Sequence, residues 1–214
     1  MSGCCQSAVA ECHFGPEKAR EQLDAYRSSG PDRLTQIALA MLREQPITDA
    51  GLVDVGGGIG VLGRELLGDR ITAVTIVEES GAYLSVARAQ AEGDGTFASW
   101  RFVQGDFVDV APGVGRADLV TLHRVVCCYP DYATLLSAVS ATDARWALLS
   151  YPRDRWYVRA ALWAEDCANR LRGDPFRSRV HPEEGISRAM REGGFRRVSE
   201  TETWFWRVEV HARS

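Results

Sequence analysis

The chain has 214 residues, 45% of them hydrophobic and 25% charged, and a formal net charge of −4. That length suits one domain with a sizeable core, and the acidic balance argues against a nucleic-acid partner. No run of 18 apolar residues is available to span a membrane. The start "MSGCCQSAVAECHFG" lacks the basic residues and apolar stretch of a secretory signal. A cytoplasmic location is therefore expected, with the six cysteines held mostly as thiols. Nothing in the sequence marks an oligomeric state.

Residues 1–14, small and polar with Cys4, Cys5, Cys12 and His13, read as a mobile arm. "GPEKAREQLDAYRSSG" reads as a helix opened by Pro16 and closed by Gly30. A second helix begins at Pro31, with Leu34, Ile37, Ala38, Met41 and Leu42 at helical spacing. From residue 51 the chain alternates. "GLVDVG", "ITAVTIVE", "WRFVQGDF", "ADLVTLHRVV" and "ARWALLSYP" read as strands. Helices are read in "GVLGRELLG", "SGAYLSVARAQAEG" and "DYATLLSAVSA", then from Trp156 to Leu171 and in "PEEGISRAMREGG". "FRRVSETET" and "WFWRVEVHAR" close the chain as two strands with no helix between them. Such alternation makes a parallel α/β sheet covered on both faces. A tight turn between the last two strands makes them antiparallel to each other, so the seventh should run against the rest.

The stretch "LVDVGGGIGVLGREL" places Gly56, Gly57, Gly58 and Gly60 between an apolar strand and a helix. Glycine inside a regular element costs about 0.5–1 kcal/mol relative to alanine, so bare backbone must be needed there. A strand, a glycine-rich turn and a helix in that order let backbone amides approach a nucleotide-like ligand. Asp54, just before the glycines, would repel a phosphate, and no Lys-Ser/Thr pair of a P-loop follows. The ligand should instead offer hydroxyls, an amine or positive charge. Glu78 ends the second strand at the position where an acid accepts ribose hydroxyls. Asp106 ends the third, placed for an adenine amino group, with Phe107 next to it to stack on the ring.

On these residues the chain resembles the class I S-adenosylmethionine-dependent methyltransferases over about residues 48–212. "VDVGGGIG" is similar to the first motif, "TIVEES" to the ribose-binding acid, "VQGDF" to the adenine-binding turn and "ADLVTLHRVV" to the fourth motif. "GGF" and the two strands after it resemble the antiparallel end of that sheet. The resemblance implies a Rossmann-like, doubly wound, seven-stranded sheet with two extra N-terminal helices, the first 47 residues acting as arm and lid. It implies S-adenosylmethionine as cofactor and in-line methyl transfer to a small molecule, most simply at oxygen. Asp54, Gly56, Gly58, Gly60, Glu78, Asp106, Phe107 and His123 are the implied cofactor residues, with no metal.

The acceptor should lie at the carboxyl ends of the strands, beside "HRVVCCYPDY". His123 is the candidate base, or else a packing or backbone-bonding group. Arg124 is placed to grip a substrate carboxylate, or faces solvent, and Tyr129 lines the pocket or donates a hydrogen bond. "VVCCYPDY" is also similar to a loop of magnesium-protoporphyrin O-methyltransferases, in which a carboxylate accepts the methyl group. Arg124 and Arg153 would position such a group, and Tyr26 in the first helix would close over the cofactor beside it. A rival reading gathers Cys4, Cys5, Cys12, Cys127 and Cys128 as thiols around a soft acceptor, as in arsenite-type methyltransferases. A third reading is a cofactor-binding protein that does not transfer methyl groups. The arginines of "YPRDRWYVR" and "RLRGDPFRSR" read as a solvated face, or as a rim that attracts an anionic small molecule.

Overall fold

A computed structural model describes residues 12–115 and 117–214. Helix α1 spans Pro16–Ser29 and α2 Arg33–Arg43. Then come β1 Ala50–Val55, α3 Val61–Leu66, β2 Ile71–Glu78, α4 Gly81–Gly93 and β3 Trp100–Gln104. The middle of the chain forms α5 Phe107–Val114, β4 Leu119–His123, α6 Tyr132–Ser140 and β5 Trp146–Pro152. Helices α7 Trp156–Leu171 and α8 Glu183–Glu192 precede β6 Phe195–Glu202 and β7 Trp206–Arg213.

The sheet order is β3-β2-β1-β4-β5-β7-β6. Strands β1 to β5 pair in parallel, while β7 runs antiparallel to both β5 and β6. The expected seven-stranded arrangement with a reversed final strand is the one observed. Each strand feeds both faces because successive side chains alternate. Leu52, Ile76, Leu119 and Leu148 pack toward α2, α3 and α4 through Leu42, Leu62 and Ala87. Val53, Val77, Val120 and Leu149 pack toward α5, α6 and α8 through Val114, Leu136 and Ile186.

Two expectations change. Helix α5 was not apparent, because "FVDVAPGV" contains Pro112 and Gly113. It forms because Asp106 accepts the Val108 amide as its cap and Phe107 and Val114 are buried. The end of the expected mobile arm is fixed: Phe14 lies edge-on to Tyr83, its carbonyl accepts the Ser80 hydroxyl at 2.7 Å, and His13 stacks on Phe176. Cys4 and Cys5 lie outside the described residues. Helix α2 supplies Leu34, Ala38, Leu39 and Leu42 to the sheet's own core. Helix α1 instead covers the glycine turn through Ala19, against Ile59 and Tyr83.

Candidate active site

The parallel strands end at a cavity of about 670 Å³, within the range that encloses a drug-sized ligand. Its floor is the β1 end and the turn to α3. Gly56, Gly58 and Gly60 have φ values of 58°, 59° and 80°, the left-handed region open to glycine. A Cβ on Gly56 would stand 2.6 Å from Val125 Cγ2 across the cavity floor. Gly60 serves packing instead: its Cβ would press on Trp100 at 3.2 Å, and it lies outside the cavity wall.

Asp54 is only 1% exposed. Its Oδ1 accepts the Thr121 hydroxyl at 2.6 Å, while Oδ2 has no partner among the described residues. Burial pushes this carboxyl up to about 7, the Glu78 charge adds to the rise, and the Thr121 bond opposes it. Glu78 is aimed by the backbone: Oε1 accepts the Ser80 amide at 2.9 Å and Oε2 the Gly58 amide at 3.0 Å. Its carboxyl is also raised, by burial. Glu79 lines the same wall and is pushed up to about 7 by burial and then by the charges of Asp106, Glu78 and Asp109. The buried Tyr83 hydroxyl is a second oxygen with no partner among the described residues. Two orphaned buried oxygens beside bare backbone are what a polar, partly cationic ligand would satisfy.

The β4 end is tied to α2. The Ser150 hydroxyl receives the Arg124 amide at 2.9 Å and lies 2.9 Å from His123 Nδ1. Thr35 donates its proton to Asp32, so His123 Nε2 donates to Thr35 Oγ1 at 3.1 Å, and Nδ1 of the neutral ring accepts from Ser150. Both ring nitrogens are engaged, and burial with the Arg124 charge holds the imidazole down to about 4. His123 is therefore a neutral strut joining α2 to β4, and the base expected there is not supplied by it. His123 Cε1 and Hε1 shifts in a nuclear magnetic resonance titration should stay constant from pH 8 to pH 5.5. A midpoint near 6.5 would restore the base.

The other expected residues divide. Asp54, Gly56, Gly58, Glu78, Phe107, His123, Arg124, Cys128 and Tyr129 all line the cavity. Arg124, at φ 63°, pairs with Asp32 at 2.6 Å. The Tyr129 hydroxyl donates to Asp106, and burial and that bond hold it protonated far above the usual phenol range. Asp106 caps α5 and receives Tyr129, both through Oδ1, between the cavity residues Gly105 and Phe107. Tyr26 donates to Glu65 at 2.8 Å and faces α3, away from the cavity. Arg153 binds Glu202 and the Thr203 carbonyl, joining β5 to the β6–β7 turn, and does not reach the cavity. Sequence reasoning missed Phe14, Asp32, Thr35, Glu79 and Phe176 as wall residues, whereas Arg177 and Arg179 belong to the basic run read as a solvated face or an anion-attracting rim.

The Cys127 and Cys128 sulfurs are 4.0 Å apart. The contact with Cys127 and burial both raise the Cys128 thiol, the reverse of what a metalloid-binding thiolate needs. Among the described residues no three His, Cys, Asp or Glu side chains gather as a metal would require. Cys12, from the arm, is exposed.

Residues 53–141 match the family model described as a methyltransferase domain. That stretch is a methyltransferase domain, and the fold around it is the Rossmann-like one of S-adenosylmethionine-dependent methyltransferases. No curated protein matches the sequence significantly. The methyltransferase is similar to magnesium protoporphyrin IX methyltransferase from Synechocystis PCC 6803 with bound S-adenosylhomocysteine. That likeness has 20% identity and a TM-score of 0.66 over 85% of this chain and 81% of that one. An O-methyltransferase family protein from Burkholderia thailandensis aligns at 16% identity and TM-score 0.67 over 85% and 57%. An O-methyltransferase family 2 protein from Planctomyces limnophilus, in complex with apigenin, aligns at 15% and 0.63 over 87% and 63%. At these identities the likeness is one of fold.

Proposed function

We propose that this methyltransferase moves the methyl group of S-adenosylmethionine to an oxygen of a small molecule. The observation that carries the reading is the acid-lined cavity at the strand ends, built on a turn bare enough for a ligand to touch backbone. When bound, the cofactor supplies an electrophilic methyl group on a sulfonium. Glu78, each oxygen held by one amide, retains lone pairs for ribose hydroxyls. Asp54 Oδ2 and its neighbouring acids set a negative potential for a cationic ligand. Phe107, the first residue of α5, borders the cavity beside the β3 end, on the side where the adenine would lie. Orientation of reacting groups in such a cavity is worth up to roughly 7–11 kcal/mol.

Oxygen is favoured because no side chain here is poised as a base near pH 7: both His123 nitrogens are engaged and its ring is weakly basic, while Tyr129 and Cys128 keep their protons. An oxygen that is already anionic needs none. The cavity is sized for a small acceptor rather than a nucleic acid, and α1 with Phe14 is its lid, while α2 belongs to the body. Among the described residues no helix is long and apolar enough to cross a membrane, in keeping with a cytoplasmic enzyme. Calorimetry with S-adenosylmethionine and S-adenosylhomocysteine tests the cofactor reading, and release of labelled methyl to acceptors tests transfer. Absence of uptake of either compound would remove both. Cys128→Ser should retain at least half of wild-type turnover. A hundredfold loss with cofactor affinity intact would revive the thiol reading.

A further inference from the structure

The cavity roof is the segment 172–182, between α7 and α8, and it is fastened at both ends. The Asp174 side chain pairs with His13 and accepts the Phe176 amide at 2.9 Å. Phe176 stacks on His13 and lies edge-on to Phe14. At the far end the Arg179 amide donates to the Cys127 carbonyl at 2.9 Å, and His181 Nε2 donates to the Tyr129 carbonyl at 2.9 Å. Between these anchors Arg177 and Arg179 enter the cavity wall.

Neither guanidinium meets a carboxylate among the described residues. Arg177 Nη1 donates to the carbonyls of Asp174 and Phe176, and Arg179 Nη1 donates to the Arg177 carbonyl at 3.2 Å. Each fork is thus steadied by its own loop through one nitrogen, with its other N–H groups unclaimed by any described residue. The third arginine of the wall, Arg124, is already paired with Asp32. The cavity is therefore divided by charge, with Asp54, Glu78 and Glu79 on the strand-end side and Arg177 and Arg179 on the roof.

We propose that Arg177 and Arg179 form a carboxylate-binding site in the roof of the cavity. A planar, fixed pair of N–H donors matches a carboxylate's two oxygens, which is the recognition that guanidinium performs best. Two carboxylates have reason to be there: that of an acidic acceptor and that of the cofactor's methionine moiety. If the acceptor's own carboxylate is the nucleophile, one oxygen lone pair forms the O–CH3 bond as the S–CH3 bond breaks. The breaking pair stays on sulfur, the sulfonium becomes a neutral thioether, the acid becomes a neutral methyl ester, and no proton moves. Binding of a carboxylate here rests on the cofactor reading above only for the second source, while the transfer step rests on it for the first as well.

The test is calorimetry on wild type and on Arg177→Gln/Arg179→Gln, after matching melting temperatures show that the variant is folded. The probes are S-adenosylhomocysteine, 5′-methylthioadenosine (the same adenosine without the amino-acid carboxylate), and benzoate and cinnamate beside their amides. The expected result is a tenfold or greater loss of benzoate or cinnamate binding, no binding of the amides, and S-adenosylhomocysteine unchanged within twofold. A tenfold loss of S-adenosylhomocysteine with methylthioadenosine unchanged also supports the site and assigns it to the cofactor's carboxylate. Equal loss of both adenosyl compounds shows the arginines merely brace the roof and overturns the proposal. So does a variant that binds every probe as wild type does, or a wild type that binds neither acid while the variant keeps its affinity for S-adenosylhomocysteine. Wild type that ignored the adenosyl compounds yet held cinnamate through these arginines would sink the cofactor reading alone.

Discussion

Asp54→Asn should stabilise the ligand-free protein at pH 8 relative to its effect at pH 5, while weakening S-adenosylmethionine uptake tenfold or more. In the fold the Asp54 carboxyl keeps its proton up to about pH 7, because burial penalises its charge. In the unfolded chain the same group ionises near pH 3.9. Between those values the native state binds the extra proton, so stability falls as pH rises from about 4 to 7 and stays low above. The ionised group at pH 8 thus costs up to on the order of 4 kcal/mol, an upper bound because buried sites relax. Asparagine removes that penalty but leaves an amide where Oδ2 has no partner, costing about 1–3 kcal/mol at any pH. The difference in melting temperature between variant and wild type should therefore rise between pH 5 and pH 8. The same carboxylate is favourable to a cationic ligand, so wild-type uptake should release protons near neutral pH and strengthen as pH rises through 7. If the melting difference is flat and affinity unchanged, Asp54 is a structural link to Thr121 and nothing more.

The parts of this site legible in the sequence are those that strand order alone determines. Parallel strands collect their carboxyl ends at one edge, so Asp54 and Glu78, each at or near the end of an apolar run, were bound to meet there. The reversed β7 was equally readable, because only a short turn separates it from β6. What failed depended on partners far away in sequence. His123 has its nitrogens engaged by Thr35, 88 residues earlier, and Ser150, 27 residues later, and neither is a recognisable partner before folding. Arg153 finds Glu202 at the end of β6, beyond β7, and Tyr26 finds Glu65 on α3. Arg177 and Arg179 were visible as a basic run with two readings, a solvated face or an anion-attracting rim, because their place in the wall depends on the path of the 172–182 segment over the cavity. Helix α5 escaped for a local reason: Pro112 and Gly113 disfavour helix, and burial of Phe107 and Val114 overrides them.

Gly57→Ala should abolish measurable cofactor uptake and lower the melting temperature, although Gly57 does not share the left-handed backbone of Gly56 and Gly58. Its Cβ would fall 2.6 Å from Asp54 Oδ2, 2.8 Å from Asp54 Cγ and 2.9 Å from Ile76 Cγ1. None of these can yield cheaply. Asp54 is held by Thr121 at 2.6 Å, and Ile76 is fully buried in β2. Overpacking of this kind costs about 1–3 kcal/mol, or roughly 2–10 °C for a chain of this size. The backbone relieves the clash by lifting the turn away from β1, which displaces the Gly58 amide from Glu78 and carries the turn into the ligand's space. Gly93→Ala, where no atom lies within 4 Å of the added carbon, is the control and should be neutral or stabilising by up to about 1 kcal/mol. Calorimetry at a temperature where both variants remain folded separates the two effects. If Gly57→Ala binds S-adenosylhomocysteine as wild type does, the bareness at residue 57 serves the packing of Asp54 rather than contact with a ligand. In that case Gly56 and Gly58, with their positive φ angles, carry the ligand contact alone.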